Sequence, residues 1–414
     1  MPGKKANEPP PLLADLKADF GTTDLTSLLE VVARARREHI GVSEANAPRN
    51  PQNLMTAERI RDWFGRDRYV LGEVVAEGGM ARIFRTADLH LCRTVALKMP
   101  VEAALTPLNL TRFMLEAQVT AQLEHPNIIP VHDIGLEPIS GLPFFTMEYV
   151  AGLTVLDVIT GLRRHDAETR RLYGHLAERL TIFLKASDAI AFAHSLHVVH
   201  RDIKPANIMV GKHGQVFVID WGIAINQWHR QPTASDAGRL QFEERRISTF
   251  WDVQNQGVPA RDPTFLGSLV HMAPEQFLDN GEVDERTDVY GLGCTLYEMV
   301  TLHPPFDPHQ PVQSLLAIKK QAAFQPVWRY VPSVHYDLAR IIHRCLEPSR
   351  HRRYQSVRQL QAAIKRFIHT SLAFRRQLSS LRHHLEALVP GEFTAAAQTR
   401  LLAHLDAALC KAPR

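Results

Sequence analysis

Cysteine is scarce in this chain: its 414 residues hold only 4, Cys92, Cys294, Cys345 and Cys410, widely scattered and with no C-x-x-C pair. That argues against both a disulfide framework and a zinc site of the usual spacing. Long apolar runs are missing too, and the opening Met1 to Pro11 (MPGKKANEPPP) carries basic residues but no apolar core. Neither a membrane anchor nor a secretory signal is expected, and the chain reads as cytoplasmic. No single sign of charge dominates: 48 basic and 44 acidic residues leave a net charge of +4, with no basic tract to serve as an arm. Nucleic acid is therefore not an expected partner. The 21 histidines are scattered apart from His383-His384 and form no H-x-x-x-H pattern, which counts against a zinc enzyme. What is present is ordinary for a globular protein, 45% apolar and 22% charged residues.

Along the chain the hydrophobic period changes more than once. A proline-rich leader precedes Leu25, Leu28, Leu29, Val32 and Ala33 at helical spacing, then Arg34, Arg36 and Arg37 and the breaker run Asn46 to Pro51. This predicts one amphipathic helix and a linker. From Tyr69 short β-branched runs take over, Tyr69 to Ala76, Ala81 to Thr86 and Thr94 to Met99, as expected of an antiparallel sheet. A helix over Leu108 to Leu123, strands around Ile128 to Ile134 and Phe144 to Tyr149, and a mostly helical body after Gly152 complete the central part. Leu378, Leu381, Leu385 and Leu388, then Leu401, Leu402, Leu405 and Leu409, predict two further amphipathic helices split near Pro390-Gly391.

The chemistry concentrates in two short segments. Val199-His200-Arg201-Asp202-Ile203-Lys204-Pro205-Ala206-Asn207 is a polar loop between an apolar helix ending near Leu196 and a strand pair around the turn Lys212-His213-Gly214. Asp202 offers a carboxylate to orient a hydroxyl and take its proton, Lys204 a cation, and Asn207 an oxygen ligand for a metal, which are the requirements of phosphoryl transfer. Downstream, the apolar run Val216-Phe217-Val218-Ile219 delivers Asp220 to a strand end before Trp221-Gly222. That carboxylate is placed to hold Mg²⁺, with the glycine read as permitting an unusual backbone turn.

In their order and spacing these segments resemble the Hanks-type, eukaryotic-like protein kinases, and in particular their bacterial serine/threonine branch. The resemblance runs from Tyr69 to Phe367. Val95-Ala96-Leu97-Lys98 is similar to the family's third strand, and Arg112-Phe113-Met114-Leu115-Glu116-Ala117 to its C-helix. The likeness implies a Lys98–Glu116 ion pair that aims Lys98 at the ATP phosphates. His125 to Val131 looks like the link into the fourth strand, and Phe145 to Val150 like the hinge, with Met147 as gatekeeper and the backbone of Glu148 and Val150 facing adenine. Gly267 to Gln276 resembles the substrate-binding end of the activation segment, Thr287 to Gly293 the buried F-helix, and Glu275 would pair with Arg353.

The implied fold is α+β and bilobal, protein-kinase-like, with a small β-rich N-lobe carrying the C-helix, a larger helical C-lobe, and helical N- and C-terminal extensions. Residues 1–68 and 369–414 form the extensions, 69–368 the kinase domain, and 220–275 a long activation segment. The implied reaction moves the γ-phosphate of ATP, held between the lobes on Mg²⁺ or Mn²⁺, to Ser or Thr hydroxyls of protein substrates in signal transduction. Asp202, Lys204, Asn207, Lys98 and Glu116 would be catalytic, and Asn207 and Asp220 would bind the metal. The nucleotide would be lined by Val75, Ala76, Glu77, Gly78, Gly79, Met80, Ala81 and Ile83 of the glycine loop. Ala96, Lys98, Met147, Glu148, Val150, Met209 and Asp220 would complete its site.

Three departures from the family pattern stand out. Alanine occupies the first and third glycine positions of the phosphate loop, at Ala76 and Ala81, which predicts stiffer or weaker ATP cover. Trp221 replaces the usual phenylalanine after Asp220 and must pack against the C-helix, where Thr120 is the expected neighbour; this combination is read as slowing the inactive-to-active switch. The activation segment is unusually long between Ile225 and Asp262 and rich in charge, Gln, Ser and Thr. Thr264 is the first candidate for self-phosphorylation, ahead of Ser248, Thr249 and Thr233, with Arg201 available to receive the phosphate. Rival readings are a pseudokinase, a small-molecule kinase, and a scaffold whose terminal helices mediate self-association.

Overall fold

The β-branched runs after Tyr69 form strands β1 (Tyr69–Glu77), β2 (Ala81–Asp88) and β3 (Arg93–Pro100) in the computed structural model, which describes residues 68–222, 224–226, 269–277 and 283–370. The described residues divide into two compact units, 68–111 with 130–149, and 112–129 with those from 150 to 370. In the first unit β4 (Val131–Leu136) and β5 (Pro143–Glu148) complete a five-stranded antiparallel sheet of order β1-β2-β3-β5-β4. Val95, Ala96 and Leu97 in the middle of β3 are all buried, as expected of a central strand covered on both faces. Arg68 ties the sheet's edge together by bonding Asp88 at 3.0 Å and Asp133 at 2.8 Å.

The strand expected around Ile128 to Ile134 starts later than the sequence suggests. Residues 127–129 pair instead with β9 (Val216–Val218) of the second unit: Val218 N–H donates to Asn127 O at 2.8 Å and Ile129 N–H to Val218 O at 3.3 Å. An apolar run carries no register information of its own, and Pro130 falls where the chain passes from one pairing to the other.

Helix α1 (Pro107–Gln122) begins in the first unit and continues into the second. The second unit then runs through β6 (Gly152–Thr154), α2 (Val155–Arg163), α3 (Ala167–Tyr173) and α4 (Leu176–Ser195). Strands β7 (Val198–Val199), β8 (Ile208–Gly211), β9 and β10 (Ile225–Asn226) follow, then α5 (Glu285–Thr301), α6 (Val312–Lys320), α7 (Val327–Tyr330), α8 (Tyr336–Cys345) and α9 at residues 357–370. A Thr154–Asp157 capping box starts α2, and an Asp284–Thr287 box starts α5.

Helix α5 is buried on nearly every side, so it acts as the post of this unit rather than as an amphipathic cover. Gly291 lets the polar loop lie against that post, since a Cβ there would stand 3.1 Å from both Ile203 Cβ and Ile203 O. Among the described residues no helix is long and apolar enough to cross a membrane. The predicted terminal helices, Thr264, Gly267, Ser268, Thr233, Ser248 and Thr249 lie outside the described residues.

Candidate active site

The polar loop is fixed from beneath by one buried carboxylate. Asp288, in the first turn of α5, accepts 2.8 Å bonds from the backbone N–H groups of His200 and Arg201, and its Oδ2 also lies 2.8 Å from His194 Nε2. An anion at a helix N-terminus is favoured by the helix dipole, and here it also satisfies two buried backbone donors. His200 is wholly buried; its Nδ1 accepts from Asp202 N–H at 3.2 Å and its Nε2 lies 3.3 Å from Ile219 O. Arg201 sits at φ +71, outside the usual range for a side-chain-bearing residue, and its carbonyl accepts from Gln276 Nε2 at 2.9 Å. Burial pulls its guanidinium pKa down; Asp288 opposes this, and the like charge of Arg112 on α1 adds to it.

Above that foundation the structure brings Asp202, Lys204 and Asn207 together. Lys204 Nζ donates to Asp202 Oδ2 at 2.6 Å, and Asn207 Nδ2 donates to Asp202 O at 2.8 Å and to Asp202 Oδ2 at 3.1 Å. The other carboxylate oxygen, Oδ1, is buried with no donor among the described residues. Because Asn207's nitrogen is committed to Asp202, its amide oxygen is the end left for a ligand.

The second carboxylate, Asp220, lies just beyond β9 at φ +64. The unusual backbone expected of Gly222 is thus carried by Asp220 itself. Gly222 has a different reason to lack a side chain: a Cβ there would stand 3.3 Å from both Asp220 Oδ1 and Glu116 Oε2. Two carboxylates therefore approach one backbone atom, and Glu116 reaches it from α1. Trp221 is buried beside His200, with ring centroids 4.4 Å apart, and belongs to the same core cluster as Val119 and Leu123 of α1. Its indole N–H has no partner among the described residues. Thr120 spends its hydroxyl on Glu116 O, at 2.6 Å, within its own helix.

In the first unit, register sets the expected nucleotide residues on one face. Ala76 pairs with Ile83, Ile83 with Lys98, and Lys98 with Phe145, while Ala96 pairs with Met147 two residues along. Directly paired residues share a face and strands alternate every second residue, so Ala76, Ile83, Ala96, Lys98 and Met147 all present to one side. Lys98 Nζ also lies 5.7 Å from the Phe145 ring centre. The β1–β2 turn closes with Gly78 N–H donating to Ala81 O at 2.9 Å, and Met80 O accepts from Val101 N–H at 3.1 Å. Neither Gly78 nor Gly79 adopts a positive φ. Val75, Ala76, Glu77, Gly78 and Gly79 are exposed, and Ala81 is buried. Glu148 N–H is already bonded to Pro130 O at 3.1 Å, so an adenine can address Glu148 only through its carbonyl. Val150 follows β5, and Met209 occupies the centre of β8, opposite Phe217.

Beyond the loop, Arg353 is fully buried and grips Glu275 through two bonds, 2.7 and 2.8 Å, the pair that the family resemblance implies. Thr287 Oγ1 donates to Glu275 at 2.9 Å as well. Several contributors were not legible beforehand. The sequence pattern shows Asp288 only as part of a buried helix and gives Gln276, His271, Glu298 and Lys319 no distinguishing mark. The one available signal was an acid in the first turn of a very apolar helix.

Fold and side-chain set define a protein kinase domain: a small antiparallel sheet with a lysine on its third strand, and a helical unit bearing the H-R-D and D-x-G carboxylates. The family model described as protein kinase domain matches residues 69–364, and the chain belongs to this family. Among curated proteins it is 33% identical over 306 residues to the serine/threonine-protein kinase PknB of Mycolicibacterium smegmatis, covering 72% of this chain and 43% of that protein. The PknB of Mycobacterium tuberculosis is 31% identical over 305 residues, with the same coverage, 72% and 43%. The serine/threonine-protein kinase PknD of Protochlamydia amoebophila is 31% identical over 312 residues, 73% of this chain and 30% of that protein. The match thus spans less than half the length of these relatives.

Proposed function

We propose that the chain is an ATP-dependent protein kinase that phosphorylates serine and threonine hydroxyls on other proteins and on its own activation segment. The observation that carries this reading is the state of Asp202. One of its oxygens is held by Lys204 and Asn207, while the other is a buried acceptor without a donor among the described residues. A substrate hydroxyl would satisfy it, and in doing so would be oriented for attack and positioned to lose its proton. Lys204, 2.6 Å from that carboxylate, supplies positive charge where the transferred phosphoryl group gathers negative charge. The serine/threonine class rests on Lys204 two residues after Asp202, on the names of the relatives, and on the substrate-end segment at Glu275.

Asp220 and the amide oxygen of Asn207 are hard oxygen donors that suit Mg²⁺ or Mn²⁺, and the side-chain-free space at Gly222 leaves Asp220 uncrowded. The metal would neutralise phosphate charge. Among the described residues no group of three or more His, Cys, Asp or Glu is arranged to hold a metal by itself, so part of the coordination would come from ATP and water. Lys98, Glu116 and the β1–β2 turn would set the phosphates, and Glu148 O and Val150 the adenine. Residues 1–68 and 369–414, patterned as amphipathic helices, would serve self-association or recruitment, which truncation to residues 60–370 would separate from catalysis.

The test is incubation with γ-labelled ATP and Mg²⁺ beside Asp202→Ala and Lys98→Ala, followed by mass spectrometry. Wild type should label itself, first at Thr264. Asp202→Ala should lose on the order of 10²- to 10⁴-fold in rate with nucleotide binding retained. Absence of label in wild type, with nucleotide bound and a generic protein substrate present, would make the chain a nucleotide-binding module instead.

A further inference from the structure

The short segment Val270-His271-Met272 leads into Pro274–Phe277, the part of the chain on which the proposed reaction would present an acceptor peptide. It is held by side chains from two helices. Lys319, near the end of α6, is fully buried, and its Nζ donates to Val270 O at 2.7 Å and to Met272 O at 2.6 Å. Between those carbonyls, His271 Nε2 lies 2.6 Å from Glu298 Oε1 on α5. Lys319 and Leu315, one helical turn apart, are both buried, so a charge occupies a position where the helix pattern asks for an apolar residue.

A buried ammonium is expensive unless it is fully bonded. Here it gains two carbonyls and the faces of three aromatic rings, with Phe306, Tyr290 and Phe277 centred 4.6, 5.1 and 5.8 Å away. No carboxylate among the described residues reaches ion-pair distance of it. A methionine or leucine would fill the space without the desolvation cost; what only the ammonium supplies is the tie to Val270 and Met272.

We propose that Lys319 is a positioning residue for the acceptor substrate: its ammonium fixes the Val270–Met272 backbone against which a protein substrate would be laid. The inference rests on the kinase reading above. The groups facing Lys319 are Cys294 and Tyr290 of α5, Glu275, and Arg353. Burial lowers its pKa to about 8; Cys294 and Glu275 oppose the shift and Arg353 adds to it. Cys294 is itself pushed up to about 12 by burial and stays neutral, and Glu275 and Arg353 are paired with each other. The charge that strengthens the two bonds is accordingly lost across mildly alkaline pH, leaving weaker neutral bonds.

The full chain is assayed with Mg²⁺-ATP and a Ser/Thr acceptor peptide, wild type against Lys319→Met, with backbone hydrogen exchange measured on both. The expected result is a KM for peptide raised about tenfold or more at an unchanged KM for ATP, and at least tenfold faster exchange confined to residues 270–273. Equal peptide KM, or an equal rise in both KM values, overturns the proposal. Should Lys319→Met fail to fold, the wild-type pH series decides: peptide KM rising at least threefold from pH 7 to 9 with ATP KM flat supports the role, and a flat peptide KM refutes it. If wild type phosphorylates nothing, the kinase reading fails separately, and unchanged exchange at 270–273 would refute the tie on its own.

Discussion

Replacing Arg353 by methionine tests how much of this fold hangs on one buried charge. The side chain is fully buried and donates to Glu275 Oε1 and Oε2 at 2.7 and 2.8 Å, to Glu347 O at 2.8 Å, and to Pro348 O and Arg286 O at 3.0 Å each. Methionine fills much of the volume but supplies no donor. Among the described residues Glu275, nearly buried, would keep only the bond from Thr287, and three backbone carbonyls would lose a donor. Removing one partner of a buried, hydrogen-bonded pair costs ~3–5 kcal/mol, because the other charge is left without compensation. For a domain of this size that is a drop on the order of 10 °C in Tm.

The exposed pair Arg82–Glu77 has a similar 2.8 Å separation but half-exposed side chains. Its loss should cost ~0–1 kcal/mol, since water and salt screen it. Denaturant melts of Arg353→Met, Arg82→Met and the double variant Glu275→Leu/Arg353→Met make the comparison. The double variant should recover the part of the loss that comes from the uncompensated Glu275 carboxylate, while the carbonyls of Glu347, Pro348 and Arg286 still lack the Arg353 donor. A loss below ~1 kcal/mol in Arg353→Met, or equal losses at the buried and exposed sites, would refute the argument from burial.

Three further outcomes are expected. Asp288→Ala leaves the N–H groups of His200 and Arg201 without their acceptor, so stability should fall by ~2–5 kcal/mol and kcat by about 10²-fold as the loop shifts, with ATP affinity little changed; unchanged kcat in a folded variant would contradict the clamp. Because the folded pKa of Lys319, about 8, lies below its ordinary 10.5, the unfolded chain binds more protons between these values; stability attributable to this group therefore rises as pH climbs from about 8 to 10.5, by ~3 kcal/mol in all. The difference between wild type and Lys319→Met in denaturant melts at pH 7.5 and 10 isolates it, and a pH-independent difference would refute the shift. Trp221→Phe removes an indole N–H that has no partner among the described residues while leaving a small cavity, so stability should change by less than ~1 kcal/mol. Its kcat should rise if Trp221 slows the active-state switch, and equal activity of the two proteins sinks that idea.

What the sequence by itself determined is what is local. The Asp202-x-Lys204-x-x-Asn207 spacing puts three groups within hydrogen-bond reach through a few residues of backbone, and short β-branched runs of period two fold into sheet wherever their neighbours lie. The reason for Gly222 is not local, since crowding by two carboxylates cannot be read from a strand end. What only the tertiary structure decided is the set of long-range partners: Asp288, 88 positions from the His200 N–H it holds, and Lys319, 49 positions from Val270. A polar residue on an apolar helix face is ambiguous in sequence, because its energy depends on whether packing brings acceptors to it. Once α5 and α6 enclose the 269–277 segment, the same lysine that would be costly alone becomes bonded to two carbonyls and takes on a role no local pattern announces.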